Sequence, residues 1–168
     1  MFNFETRTRR GDCVTVRPLD DGDEHTVQAV FDGLSPESRH GRFLRSVPGL
    51  STGMRAYLSA VDQDAHRAAV AWIDGFPAGI VRLVADGTGA HELAVAVVDR
   101  HQGCGLGRLL VESALSHAAA GGIGEVRVHV GGTNRRSLAL FRSLGFELRR
   151  DGIDLEGTRH LGASEAAA

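Results

Sequence analysis

The sequence predicts a mixed α/β (α+β) fold, a central twisted sheet of about six or seven strands with helices on both faces. Three observations carry that expectation. Short stretches with a period of two recur from Cys13 to His160, separated by Gly, Pro, Asp and Asn turn signals. Helical periods fill the gaps between them, over 24–45, 51–61 and 105–120. One nearly continuous apolar run, His91–Val98, leads through a glycine-rich turn into a helix, as expected of a central strand covered on both faces.

Taken in order, Met1–Asp12 reads as a flexible leader, 13–162 as a single domain and Ala163–Ala168 as a frayed tail. Cys13–Pro18 alternates apolar and polar residues and ends at proline, the signature of a first strand. Asp20–Asp23 is turn chemistry that caps a helix over Glu24–Leu34. Ser35 then caps a second helix, with Pro36 at its first position, running towards Arg45. Ser51–Val61 places Leu50, Met54, Tyr57, Leu58 and Val61 at helical spacings. Arg67–Ile73 and Ala78–Ala85 flank an Asp74-Gly75 turn and form a hairpin, and Asp86–Gly89 turns the chain into the apolar strand. A helix follows over about Gly105–Ala120, with Leu106, Leu109, Leu110, Ala114 and Leu115 on its buried side, and Gly121-Gly122 ends it. Glu125–Val130 is a strand, Thr133 or Asn134 caps a helix to Leu144, and Phe146–Arg150 with Ile153–His160 closes the sheet as a hairpin.

A chain of 168 residues suits one core. A net charge of -2 offers no argument for nucleic acid or an anionic membrane as partner. The N-terminus lacks an apolar signal segment, and no stretch approaches the ~18 consecutive apolar residues of a membrane span. Cys13 and Cys104 make neither a metal spacing nor a disulfide framework, so the expectation is a reducing, cytoplasmic setting and no metal. All 19 basic residues are arginine. Coding bias explains that, and so does an enzyme that modifies lysines and carries none of its own.

The residues between strand and helix are His101-Gln102-Gly103-Cys104-Gly105-Leu106-Gly107-Arg108. Three glycines in five positions permit positive φ and let successive backbone N–H groups converge on one anion. The helix N-terminus adds about half a positive charge at the same point. The loop therefore reads as a diphosphate cradle. A dinucleotide fingerprint starting at Gly103 needs glycine at 108, where Arg108 stands, and a Walker loop needs a lysine. A glycine-rich turn without ligand is the plainer reading of the same residues.

What remains, Gln-x-x-Gly-x-Gly over Gln102, Gly105 and Gly107, resembles the acetyl-CoA loop of the GNAT N-acetyltransferase superfamily. The resemblance spans about Val14 to Leu161. It implies a GNAT fold, acetyl-CoA as co-substrate, and a notch beside the central strand for the pantetheine arm. Val95, Ala96, Val97, Gln102, Gly103, Cys104, Gly105, Leu106, Gly107 and Arg108 are then the expected cofactor contacts. Downstream, Asn134-x-x-Ser137-x-x-x-Phe141-x-x-x-Gly145-Phe146 matches the helix that packs beside the cofactor, which adds Asn134, Ser137 and Phe141. Asn134 reads equally well as a helix cap. Phe141 stands where many members carry a tyrosine that protonates the departing thiolate. Cys104 replaces a common polar residue; it offers either an acidified thiol at a helix N-terminus, open to a mixed disulfide with CoA, or an inert small side chain. Arg135 and Arg136 read as a CoA 3′-phosphate contact or as a solvated helix face.

Transfer to an amine needs neutral nitrogen, and a lysine ammonium has a pKa of about 10.4. Glu92 is the acid inside the apolar strand, where desolvation would raise its pKa towards the working range; it reads also as a residue at the strand's exposed start that merely solvates an edge. Superfamily lysine acetyltransferases place a catalytic glutamate early on this strand, and Glu92 stands ten residues before Gln102. The stretch Leu34–Phe43 also resembles the N-terminal helices of bacterial Pat-type protein lysine acetyltransferases. The resemblance thus implies direct transfer of acetyl from acetyl-CoA to a protein lysine, as on an acyl-CoA synthetase, with Glu92 as general base, by a monomer or homodimer. His91, His101 and His129 lie near the expected cleft as further titratable groups. A small-molecule amine acetyltransferase and a non-catalytic CoA-binding module are the alternatives.

Overall fold

The computed structural model describes residues 3–162. The tail expected over 163–168 lies outside the described residues. Strands β1 (Phe4–Arg7) and β2 (Cys13–Pro18) are followed by helices α1 (Glu24–Asp32), α2 (Pro36–Phe43) and α3 (Thr52–Ser59). Strands β3 (His66–Ile73), β4 (Phe76–Ala85) and β5 (His91–Val97) come next, then helix α4 (Leu106–Ala120). Strand β6 (Glu125–Gly131), helix α5 (Arg135–Ser143) and the hairpin β7 (Glu147–Asp151)–β8 (Asp154–His160) complete the chain. These strands form one sheet in the order β1-β2-β3-β4-β5-β6-β8-β7. Every pairing is antiparallel except β5 with β6.

The sheet has eight strands, more than the six or seven expected, and the expected leader accounts for the extra one. Residues 4–7 pair with β2, Phe4 opposite Val16 and Arg7 opposite Cys13, and Phe4 packs on the core. The alternation Phe-Glu-Thr-Arg suits a half-buried edge, and it covers backbone groups that β2 would otherwise leave open. A turn over Thr8–Asp12 closes the hairpin, with the Thr8 hydroxyl donating to Asp12 Oδ2 at 2.8 Å.

Each face of the sheet buries its own apolar cluster. Leu106, Leu110, Val111 and Ala114 of α4 and Phe141 of α5 cover one face, against Val81, Leu83, Leu93 and Val128. Val27, Val30 and Phe31 of α1 and Leu58 of α3 cover the other, against Val70, Ile80 and Ala96. Both clusters are needed because a sheet in this position is apolar on two sides. A bulge in β4 decides which residues face which cluster. Trp72 pairs with Pro77 and Ala71 with Gly79, so Ala78 is an extra residue. Ala78 packs towards α4, while Ile80, two positions on, packs towards α1. From there Ile80, Arg82 and Val84 all point to the α1–α3 side.

Helix starts follow their side-chain caps. Asp23, Ser35, Ser51 and Asn134 each accept a hydrogen bond from a backbone N–H in the first turn of the helix they begin. α4 starts differently: Gly105 is its N-cap, with no side-chain bond. That exception marks the candidate site.

Candidate active site

β4 pairs with β5 as far as Val97, but β6 pairs with it only at His91 and Glu92. β6 then turns to β8, so the other edge of β5 from Leu93 onward has no strand partner among the described residues. This is the notch expected beside the central strand. It opens into a cleft of about 330 Å³, lined by Glu92, Ala94 and Val95 of β5, His129 of β6 and Ser137 and Phe141 of α5. Arg42, Leu44 and Arg45, at the end of α2, close its rim. The strand is therefore less enclosed than its apolar composition predicted: Leu93 and Ala96 are buried, while Ala94, Val95 and Val97 are only partly so.

The loop lies at the end of that notch. Gly103 (φ 73°) and Gly105 (φ 92°) adopt left-handed backbone, which other residues enter only with strain. Among the described residues, no backbone N–H from Gly103 to Arg108 donates a hydrogen bond. These six successive donors sit at the N-terminus of a 15-residue helix, where the dipole favours an anion. Their free amides are what a pyrophosphate needs, and the open edge of β5 leads away from them along the notch.

Side chains around the loop divide differently from expectation. Gln102 points inward: its amide nitrogen is 3.0 Å from Val97 O, 3.1 Å from Ser38 Oγ and 3.2 Å from Asp99 Oδ1, and it can donate to two of these at once. Its Oε1 accepts from Arg136 at 3.2 Å. Gln102 thus ties β5, α2 and α5 together behind the loop. The Arg108 guanidinium donates to Glu112 Oε1 at 2.9 Å and to the Ser143 hydroxyl, so its backbone N–H rather than its charge belongs to the cradle. Cys104 is fully buried, and its thiol donates to His101 O at 2.8 Å. That burial favours the inert reading over a mixed disulfide.

The former leader supplies charges that sequence reasoning missed. Arg9 N donates to Cys104 O at 2.9 Å, and Arg10 Nη2 donates to Gln102 O at 3.0 Å. Both side chains are exposed beside Gly103 and Gly105. The alternation over Phe4–Arg7 was the signal that a strand would carry them there.

On α5, Asn134 accepts from Ser137 N at 3.1 Å, so its oxygen is occupied as a cap. Phe141 is buried and meets Phe146 edge to face with ring centroids 5.2 Å apart. It brings an apolar wall to the cleft and no proton.

Glu92 is the one acidic residue lining the cleft among the described residues. The burial expected for it is not met: Glu92 is still paired with Arg127 of β6, but its side chain is exposed at the mouth of the cleft. Arg82, on the same sheet face, is only 4% exposed. Its Nη1 donates to His66 Nε2 at 3.2 Å, since guanidinium has no acceptor, which places the imidazole proton on Nδ1. Burial and the nearby Arg42 charge push the Arg82 pKa down to about 9. Burial, opposed by the Glu92 charge, also lowers that of Arg42. Burial and then the Arg82 charge hold His66 below the usual histidine range. Asp99, exposed but partly desolvated, is held below the usual carboxylate range by hydrogen bonds from Ser35 and Ser38.

Comparison with known proteins agrees with this geometry. Residues 29–146 match the model of the Acetyltransferase (GNAT) family. A Pseudomonas aeruginosa protein named as an acetyltransferase is 32% identical over 149 residues, which cover 86% of this chain and 80% of that protein. The GNAT domain of PAT from S. lividans superposes with a TM-score of 0.89 at 24% identity, over 95% of this chain and 97% of that one. A phosphinothricin acetyltransferase from Sinorhizobium meliloti, solved with acetyl-CoA, does so at 0.74 and 21%, covering 89% of each. Both structural likenesses speak for the fold. With the family match spanning the glycine loop, the notch and α5, this chain belongs to the GNAT acetyltransferase family and is an acetyl-CoA-dependent N-acyltransferase.

Proposed function

We propose that the chain acetylates a primary amine presented beside Glu92, with that carboxylate as the general base. The observation that carries this reading is its position as the one acid of the cleft among the described residues, one residue before the open edge of β5 begins. Near neutral pH only about one lysine-like amine in a thousand is uncharged. Glu92, acting directly or through a water in its exposed setting, takes the ammonium proton. The nitrogen then forms a bond to the acetyl carbon as the C–S bond breaks, and the proton left on the acylated nitrogen passes to solvent. Phe141 cannot protonate the sulfur, so CoA leaves as thiolate, tolerable for a thiol with a pKa of about 8.5 by analogy with cysteine. The Gly103–Arg108 amides hold the diphosphate fixed while this happens.

A protein lysine, as on an acyl-CoA synthetase, is one form of that acceptor. In its favour, Glu92 is exposed at a rim formed by Leu44 and the exposed Arg45, where an extended lysyl chain can enter. The second form is a small amine that also carries an anionic group, which Arg42 and Arg82 beside the cleft would attract. Measuring kcat from pH 6 to 9 for Glu92→Gln tests the base. The expected loss is about 100-fold at pH 7, narrowing as the free amine becomes plentiful. Wild-type kcat across that range would refute the role.

A further inference from the structure

Two arginines stand beside Glu92 without an ion-pair partner among the described residues, Arg42 lining the cleft and Arg82 lining the small cavity next to it. Register pairs Arg82 of β4 with Ala94 of β5 and Val84 with Glu92, so Arg82 and Glu92 are diagonal neighbours on one face. Arg82 is buried to 4% exposure, yet its guanidinium makes a single hydrogen bond among the described residues, to a neutral imidazole. Among the described residues, no carboxylate lies within ion-pair distance of it. Arg42, half-buried at the end of α2, likewise makes no ion pair among the described residues. Arg42 lines both the main cleft and a smaller apolar cavity that Arg82 also lines, so the two guanidiniums flank one space. Burying an unpaired cation is costly, and two that repel each other are costlier still. Their fork-shaped donors suit a bidentate oxyanion.

We propose that Arg42 and Arg82 form an anion subsite where the small cavity meets the acceptor cleft, and that the acceptor is a small amino acid whose carboxylate binds there while its amine meets Glu92. The bound carboxylate neutralises the arginine pair and sets the distance of the amine from the acetyl carbon. The inference rests on the amine-transfer reading above and narrows its acceptor.

The test is a panel of L-amino acids, each beside its carboxamide and its decarboxylated amine, with CoA thiol release followed at fixed acetyl-CoA. An acceptor-free blank and a lysine-bearing protein complete the panel. At least one acid is expected to exceed its own amide by about tenfold to a hundredfold in kcat/KM, chiefly through KM. In Arg42→Gln that ratio collapses towards one, and Arg42→Lys restores part of it. Arg82→Met is expected to collapse the ratio likewise, and should that variant fail to fold, the wild-type ratio and Arg42→Gln decide the matter. Neutral amines or protein lysines turned over as well as the acids would overturn the anion subsite and leave amine transfer intact. No turnover of any amine would overturn the amine-transfer reading and this inference with it.

Discussion

Replacing Gly105 by alanine separates the loop's role in binding from its role in folding. Gly105 caps α4 at φ 92° and ψ -3°, a left-handed conformation that costs an alanine about 1–2 kcal/mol. The new Cβ would lie 3.3 Å from Arg9 Cγ, which a flexible exposed side chain can relieve. In a chain of this size the strain lowers Tm by about 2–8 °C. Any shift of backbone that relieves it turns the neighbouring N–H groups away from their common focus. One or two charge-assisted hydrogen bonds to phosphate, each about 1.5–3 kcal/mol, then weaken, so Kd for CoA should rise by about tenfold to a hundredfold. Gly22→Ala is the control: φ is 78°, a Cβ there meets nothing within 4 Å, and the position does not line the cleft. It should lower Tm similarly and leave Kd unchanged. Thermal melts and calorimetric titration of both variants provide the comparison. A Gly105→Ala protein that loses Tm as Gly22→Ala does, yet binds CoA within twofold of wild type, would refute the cradle.

Other expectations follow from side chains around the site. Arg9→Ala with Arg10→Ala should weaken CoA binding severalfold and flatten its dependence on salt, because both charges are exposed beside the loop; a salt titration of Kd checks this. A thiol reagent should modify one cysteine per folded chain at neutral pH, the exposed Cys13, and reach buried Cys104 only on denaturation. His66 is held low by burial and Arg82, so its neutral form stabilises the fold above about pH 6.5, the unfolded value, and that contribution is lost as pH falls further. Tm should therefore drop between pH 6.5 and 5, less steeply in His66→Gln.

Much of this was legible from residue patterns because each signal was local. The caps Ser35 and Asn134, the apolar run of β5 and the three loop glycines sit within a few residues of what they control. The misses were matters of partner and direction. The alternation of Phe4–Arg7 is too short to announce a strand by itself, and only its pairing with β2 carries Arg9 and Arg10 to a loop more than 90 residues away. Gln102 and Arg108 were expected on the cofactor because of where they stand, but each turns to protein partners that folding brings close. Glu92 was expected to be desolvated by its apolar neighbours in sequence, but its side chain lines a cleft between elements far apart in the chain and is exposed there. Arg82 sits within an apolar strand pattern, and its facing direction follows from the Ala78 bulge, which no periodicity reveals.

The most direct measurement of the central claim is an amide-resolved NMR titration of the folded protein with acetyl-CoA. The account predicts saturable, downfield displacement of the Gly103–Arg108 amide protons as they begin to donate to phosphate, with smaller changes along Leu93–Val97. Unmoved loop amides, or a largest displacement remote from the β5–α4 junction, would contradict it.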